Sequence, residues 1–289
     1  MKRALTILIV LCAALPAAAS DRSGARWLSA HVLAGGDGTA ADTIVALRAA
    51  GRLPGAEARR RAAGLRRGAR SYVTGAGQAA KLVLGLAAAR SGSARCAGSL
   101  DLRIAMGHDY TRGRYGRNVF DMGLSLLALR ALREHAPPAS IAFLRGARGA
   151  GGWNVLLRRS GGPVDDVSST AITILALRAS GVPRSSATLR SALRWMLRQR
   201  TASGGFALGR RDRNEANSTA LAIEAERAMG RSDGRAARAL GALQRRDGSF
   251  QFTATDAGSR VLATTESVVA LSGRVPPVAR VRRHPGPCR

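Results

Sequence analysis

Six segments of the chain share an apolar run that ends in Ala-Leu or a close relative, often followed by glycine, and several of them are apolar nearly all round. They are residues 41–51, 79–92, 121–132, 169–181, 218–230 and 264–273. Each segment predicts a helix of about three turns, and the glycine is typical of the left-handed residue that ends a helix. A helix without a polar face must be buried on both sides. We therefore predict that these six segments are inner helices.

Amphipathic segments alternate with the inner segments. Apolar residues recur in them at helical spacing and arginines fill the other positions; in 186–200 the buried stripe is Leu189, Leu193, Met196 and Leu197. Five such segments are 24–33, 56–68, 140–148, 186–200 and 234–246, and the connection 94–110 fits the pattern less well. The chain is therefore predicted to contain repeats of one outer and one inner helix, with steps of 39 to 49 residues between aligned inner segments.

The N-terminal segment has the pattern of a cleaved secretory signal. A positive start at Lys2 and Arg3 precedes a short apolar run, and small residues at 17–19 form a cleavage site. We expect a signal peptide at 1–19, a helical domain at 20–274 and a basic tail at 275–289. After cleavage two cysteines remain, Cys96 and Cys288, and in a secreted protein they predict one disulfide; two free thiols are the alternative.

Repeated helix pairs can stack as an open solenoid or close into a ring. Three features favour a ring. The number of pairs is six, the inner segments lack the polar face that a solenoid would expose, and a bridge from Cys288 to Cys96 would bring the end of the chain to an early repeat. We predict an all-α fold, an (α/α)6 toroid of six helical hairpins.

Glycine followed by an aromatic residue recurs where an outer helix ends. Two copies also carry glutamine: Gln199, Gly205 and Phe206 in 197–208, and Gln244, Gly248 and Phe250 in 243–252. A third copy, 144–155, keeps Gly152 and Trp153. Glycine permits the tight reversal, the aromatic ring can pack over a helix end, and glutamine can bond free backbone groups there. We interpret these turns as structural.

Six helix pairs joined by Gln-x-x-x-Gly-x-aromatic turns resemble the terpenoid cyclase and protein prenyltransferase toroid superfamily, in which squalene–hopene cyclase-like proteins carry such QW motifs. The resemblance covers residues 26–273. It implies the toroid, but it does not imply one function, because the same ring also serves cobalamin carriers and complement-like thioester domains.

The chemical motifs of that superfamily are incomplete in this chain. The cyclase acid stands in Asp-x-Asp-Asp-Thr-Ala, and the best match, 166–171, places Ser168 at the position of the proton donor; the match at 215–220 places Asn217 there. Neither side chain is a strong acid. The four histidines are scattered without ligand-like spacing, so neither the zinc of prenyltransferases nor any other metal or cofactor is expected. The thioester motif Cys-x-Glu-Gln is also missing.

The chain has a formal charge of +28, nearly all from arginine, and Lys81 is the only lysine after the predicted signal. Such a charge can indicate a polyanionic partner. Almost complete replacement of lysine by arginine instead suggests genome composition, and no nucleic-acid-binding motif accompanies the arginines. An anionic cell-envelope polymer stays a possible partner; a specific nucleic acid, a membrane span and an oligomer are not expected.

A ligand site is predicted at the mouth where the N-termini of parallel inner helices meet, because helix dipoles and polar residues converge there on an apolar centre. The predicted ligand-binding residues are Arg112, Arg114, Arg117, Tyr115, Ser168, Arg213, Asn214 and Asn217. Arginines and helix N-termini favour an anionic or amphipathic small molecule. The alternative is that Asp121, Asp166, Ser169 and Asn217 are only helix caps.

The sequence therefore favours a secreted, non-catalytic toroid that binds a ligand. The alternative is a divergent enzyme, either terpene cyclase-like or a polysaccharide hydrolase or lyase, since (α/α)6 rings also carry enzymes that cleave polysaccharides with two carboxylates. The candidate catalytic residues for that alternative are Asp121, Asp165, Asp166 and Asp212. Two carboxyl groups with raised pKa values close to each other would favour the enzyme.

Overall fold

Twelve helices and one short ribbon make up the part of the chain that the computed structural model describes, residues 20–209, 213–281 and 288. In chain order they are α1 (Asp21–His31), α2 (Gly38–Ala49), α3 (Gly55–Tyr72), α4 (Ala76–Ala89), β1 (Cys96–Ala97), β2 (Leu100–Asp101), α5 (Leu102–Gly107), α6 (Val119–Ala131), α7 (Pro138–Gly146), α8 (Val167–Ala179), α9 (Ala187–Arg198), α10 (Ala216–Ala228), α11 (Gly234–Gly241) and α12 (Arg260–Leu271). The predicted signal peptide lies outside these residues.

The even-numbered helices form a closed inner ring. Each packs against the next, from α2 through α4, α6, α8 and α10 to α12, and α12 packs against α2. Every residue of α8 from Val167 to Leu177 is buried, as expected for a helix with neighbours on all sides. The predicted (α/α)6 toroid is confirmed.

The odd-numbered helices surround this ring and bury one stripe each. In α9 the buried residues are Leu189, Ala192, Leu193 and Met196, whereas Leu197 is only partly buried. The connection that fits the repeat least well, 94–110, contains the antiparallel ribbon β1–β2 and the short helix α5. No helix among the described residues is long and apolar enough to cross a membrane.

The three glycine–aromatic turns share one anchoring hydrogen bond. In each, the backbone N–H of the aromatic residue donates to a threonine hydroxyl near the start of the following inner helix. The pairs are Trp153–Thr170 at 3.0 Å, Phe206–Thr219 at 2.9 Å and Phe250–Thr264 at 2.9 Å. All three aromatic side chains are fully buried. Two of these threonines belong to the Ser-Thr-Ala sequences that match the end of the cyclase motif, and here they hold a turn.

The last turn also joins the two ends of the ring. Gln244 Nε2 donates to the Ser20 carbonyl at 3.0 Å and to Ser23 Oγ at 2.8 Å, and Gln244 Oε1 accepts from the Ser20 N–H at 2.9 Å. Gly248 adopts a φ of 93°, and a Cβ there would lie 2.7 Å from the Ser23 carbonyl oxygen. The turn before α12 thus fastens α1, which packs beside α12 and α2. The glutamine of the other full turn, Gln199, donates to the Trp195 carbonyl at 3.3 Å.

Arginines join the C-terminal ends of neighbouring inner helices. Each arginine stands in, or just after, the last turn of one inner helix and donates to a carbonyl at the end of the next. The bonds are Arg48–Ala88 at 2.6 Å, Arg178–Ala228 at 3.2 Å, Arg227–Ala270 at 2.7 Å and Arg274–Ala49 at 3.1 Å. A cation there satisfies free carbonyls and interacts favourably with the helix dipole. Part of the arginine content therefore has a structural role.

The segment after α12 crosses the C-terminal end of the ring. Arg274 contacts the end of α2, and the Val281 N–H donates to the Ala131 carbonyl at the end of α6 at 3.0 Å. Cys288 forms a disulfide with Cys96, with an S–S length of 2.03 Å, so the predicted bridge is confirmed. The C-terminal segment therefore covers one end of the ring and is tied to the connection between α4 and α5.

Candidate functional site: the lumen of the ring

The ring encloses a cavity of about 420 Å³, here called the lumen. All six inner helices and the C-terminal segment 276–279 contribute to its wall. Most of the wall is aliphatic, with Phe120 as its aromatic residue. The polar lining residues are Asp42, Lys81, Ser168, Thr265, Asn217, Glu224 and Glu266. An enclosed apolar cavity with a few polar side chains is the usual form of a small-molecule site.

One cation and one anion in the lumen neutralise each other. Lys81 Nζ on α4 lies 2.5 Å from Asp42 Oδ2 on the neighbouring helix α2. Burial favours the neutral lysine, but the charge and hydrogen bond of Asp42 outweigh it, so the pKa of Lys81 is raised. Among the described residues that line the lumen, none is arginine. The only cation of the lining is therefore already paired.

Glu266 on α12 has one hydrogen-bond partner in the lumen. Asn217 Nδ2 on α10 donates to Glu266 Oε2 at 2.6 Å. Burial raises the pKa of Glu266 to about 7, and Asp42 adds to this increase, whereas the bond from Asn217 and the charge of Lys81 oppose it. The carboxyl group therefore changes its charge close to neutral pH.

Glu224 is the most deeply buried acid of the lumen, with 4 % of its surface exposed. Its carboxyl group makes no hydrogen bond to any described residue, although a buried polar group normally has a partner. Burial raises the pKa of Glu224 well above its usual value, and the negative charge of Glu266 adds to the increase. Burial therefore favours the uncharged form of Glu224, and this residue lines the cavity, where its carboxyl group is available to a ligand.

Two of the predicted ligand-binding residues line the lumen. Asn217 orients Glu266, and Ser168 Oγ lies 3.1 Å from Ser218 Oγ. Because both occupy the second position of an inner helix, they lie near its N-terminal end, where the mouth was predicted. Their roles in binding a ligand stay predictions.

The structure places the other predicted ligand-binding residues away from the lumen. Arg114 and Arg117 line a separate surface cavity together with His108, Asp109 and Tyr110. Tyr115 is buried beside Tyr110, whereas Arg112 and Arg213 are exposed. Asn214 donates to the Ala239 carbonyl at 2.8 Å and thereby fixes a connection. Most of these residues belong to connections that fold over outer helices, so their position before an inner helix does not bring them to the lumen.

The described candidate catalytic aspartates bond to local groups. Asp166 caps α8, accepting from the Ser169 N–H at 2.7 Å and from Ser169 Oγ at 2.6 Å. Asp165 accepts from the N–H groups of Gly151 and Gly152, both at 2.9 Å. Asp121 Oδ2 accepts from the Arg117 N–H and from Asn118 Nδ2, both at 2.9 Å. None of the three lines the lumen. Asp212 lies outside the described residues.

Sequence reasoning missed the four charged residues of the lumen. Lys81, Glu224 and Glu266 each stand inside an inner segment, and Asp42 stands near the start of one. The signal was present, because a charged side chain in a fully buried helix needs a partner or a cavity. Lys81 also stood out as the only lysine after the predicted signal. Within residues 20–209, 213–281 and 288, no three His, Cys, Asp or Glu side chains gather as metal ligands.

Comparison with known proteins identifies the architecture alone. No protein-family model and no curated protein matches this sequence. A solved structure of a polysaccharide lyase is similar in fold, with a TM-score of 0.59 over 87 % of this chain and 94 % of that one. The two sequences are 11 % identical, so the similarity supports the helical toroid and carries no activity across.

Proposed function

We propose that this protein is a binding protein that holds a small amphipathic ligand in the lumen. The observation that carries the proposal is the unpaired carboxyl group of Glu224, buried in the wall of an aliphatic cavity. A hydrogen bond between this carboxyl group and a ligand with a matching polar end would contribute about 0.5–1.5 kcal/mol. The apolar remainder of such a ligand would gain about 0.8 kcal/mol for each buried CH₂ group.

The size of the lumen sets the size of this ligand. At roughly 30 Å³ for each water in the liquid, a cavity of about 420 Å³ corresponds to about 14 waters. A single alkyl chain of about ten carbons with a small polar end has a comparable number of non-hydrogen atoms. The other ligands that the sequence suggests, an anionic small molecule or a cell-envelope polymer, have less support, since Lys81 is paired with Asp42.

Secretion and membership of the terpenoid cyclase superfamily are part of this proposal. The disulfide supports an oxidising compartment, and the toroid with its glycine–aromatic turns supports the relationship. The fold similarity to a polysaccharide lyase is compatible with a polymer as partner.

Calorimetric titration with decanol tests the binding function. Leu221 lines the lumen, so Leu221→Trp should fill it, whereas Leu33→Trp is a matched change at an exposed position. We expect decanol to bind to the unaltered protein and to Leu33→Trp with equal affinity, and to lose at least about tenfold in affinity in Leu221→Trp. No binding to the unaltered protein, or equal binding to all three, would contradict a ligand in the lumen.

A second candidate function is acid catalysis on a ligand in the lumen. The observation in its favour is that Glu224 and Glu266, two carboxyl groups with raised pKa values, share one cavity. A protonated carboxyl group in an apolar site can donate a proton to an alkene or an ether oxygen. This would be a divergent, terpene cyclase-like enzyme, with glutamates in place of Asp121, Asp165 and Asp166.

Incubation with linalool, an isoprenoid alkenol of suitable size, tests the acid-catalysis candidate. Gas chromatography with mass spectrometry would detect a cyclised or isomerised product. A product that forms with the unaltered protein and not with Glu224→Gln would support catalysis. Unchanged linalool with the unaltered protein would leave binding as the function.

A further inference from the structure

We propose that the lumen selects amphiphiles whose polar end is a protonated amine, with the carboxyl groups of Glu224 and Glu266 as the acceptors. This inference rests on the proposed binding function and names its ligand class. It starts from the charges that line the cavity. Asp42 and Lys81 cancel each other, which leaves the two glutamates without a cation among the described lining residues.

The nearest other cation does not occupy the lumen. Arg227, one turn beyond Glu224 on α10, acts to lower the pKa of Glu224 by its charge, against the larger effects of burial and of Glu266. Its Nη1, however, donates to the Ala270 carbonyl at the end of α12, 2.7 Å away, and Arg227 does not line the cavity. Lys81 and Arg227 act on the two glutamates through their charge, but Lys81 is ion-paired with Asp42 and no described cation forms a salt bridge with either glutamate.

The number of available acceptors matches an ammonium group. Both oxygens of Glu224 and Oε1 of Glu266 accept no hydrogen bond from any described residue, whereas Oε2 of Glu266 accepts from Asn217. A primary ammonium group carries three N–H donors, a hydroxyl group carries one, and a carboxylate carries none. An amine can therefore satisfy the free acceptors most completely, and a carboxylate would bring a further acidic group without any donor.

A protonated amine should bind more tightly than an alcohol only when a glutamate of the lumen is ionised. Only then does the ligand form a buried ion pair. The groups that face Glu266 are Asp42 on α2, Lys81 on α4, and Asn217 and Glu224 on α10. Lys81 is held by Asp42, so a ligand ammonium would be the additional cation that stabilises the ionised form. Affinity for an amine should therefore increase as Glu266 loses its proton near neutral pH, and affinity for an alcohol should not.

The test is calorimetric titration of the full chain with decylamine, decanol and decanoate, which share one alkyl chain. At about pH 8.5, above the pKa of about 7 of Glu266, we expect decylamine to bind about tenfold more tightly than decanol. A factor of about ten in affinity corresponds to the free energy of one hydrogen bond to a charged group. Decanoate should bind most weakly. At about pH 6 the preference of decylamine over decanol should shrink several-fold.

Variants connect this preference to the two acids. In Glu224→Gln/Glu266→Gln the ratio of decylamine to decanol affinity should fall to about one, whereas Asp109→Asn, which removes one exposed negative charge, should keep the ratio. Equal affinities for decylamine and decanol at both pH values in the unaltered protein would overturn the amine selectivity and leave the binding function intact. Binding of none of the three probes would overturn both proposals, and an intact ratio in the double variant would overturn the role of the glutamates.

Discussion

The replacement Glu266→Gln should make the protein more stable at alkaline pH and leave its stability unchanged at acid pH. The pKa of Glu266 rises from 4.5 to about 7 on folding. The native state therefore holds a proton that the unfolded chain releases between these pH values, so stability is complete below about pH 4.5 and falls as the pH rises towards 7. Glutamine has no charge to desolvate and can still accept the hydrogen bond from Asn217.

The size of the effect follows from the change in pKa. At 1.36 kcal/mol for each pKa unit, a change of this size corresponds to an upper limit of about 3 kcal/mol. Water that enters through the mouth of the lumen screens part of it, so we expect about 2 kcal/mol. Urea unfolding followed by far-ultraviolet circular dichroism, at intervals between about pH 3.5 and pH 8.5, gives the free energy of unfolding of both proteins.

The difference between the two proteins reports the titration of Glu266 together with its charge coupling to Glu224 and Lys81, since all other titrating groups are shared. The advantage of Glu266→Gln should be close to zero at about pH 3.5, below the unfolded pKa of 4.5, and should increase to about 2 kcal/mol at about pH 8.5. Asp109→Asn controls for the loss of a negative charge from a strongly cationic protein and should show no such increase. A constant difference across the pH range, or a variant that is less stable at alkaline pH, would refute the reasoning about the lumen carboxyl group.

Two further predictions concern the elements that hold the ring together. Thr219→Val keeps the shape of the side chain but leaves the buried N–H of Phe206 unpaired, so the free energy of unfolding should fall by about 1–3 kcal/mol. The control Thr255→Val, at an exposed position, should cause no change, and equal stability of both variants would contradict the anchoring role. Cys96→Ser should raise the rate of amide hydrogen exchange in residues 276–281 and lower the free energy of unfolding by about 2–4 kcal/mol. An unchanged exchange rate in this segment would show that the disulfide does not hold it over the ring.

The fold could be predicted from the sequence because a helix that is buried on all sides has apolar residues around its whole circumference, and this pattern can be seen in the sequence. A helix such as α8, with no polar face, needs neighbours around its whole circumference, and six such helices at regular spacing leave few arrangements other than a ring. The connection 94–110 was less clear because α5 has only six residues and a ribbon precedes it. The turns were predicted as structural, but their threonine partners in the following helices were not.

The site could be predicted only in part, and the reason is again the burial of the inner helices on all sides. A helix that is apolar all round does not show which side faces the centre of the ring, so the orientations of Glu224 and Glu266 could not be read from periodicity. Ser168 and Asn217 were found because they stand at the start of inner helices. Arg114 stands on a connection whose path depends on tertiary contacts with an outer helix, including the ring of Phe143 at 6.0 Å.

A crystal structure of the protein grown with decanol shows most directly whether the lumen is a ligand site. We expect density for one alkyl chain among the aliphatic residues of the inner helices, with its hydroxyl group within hydrogen-bond distance of Glu224. A lumen filled by its own side chains, or density for decanol only on the outer surface, would contradict the account.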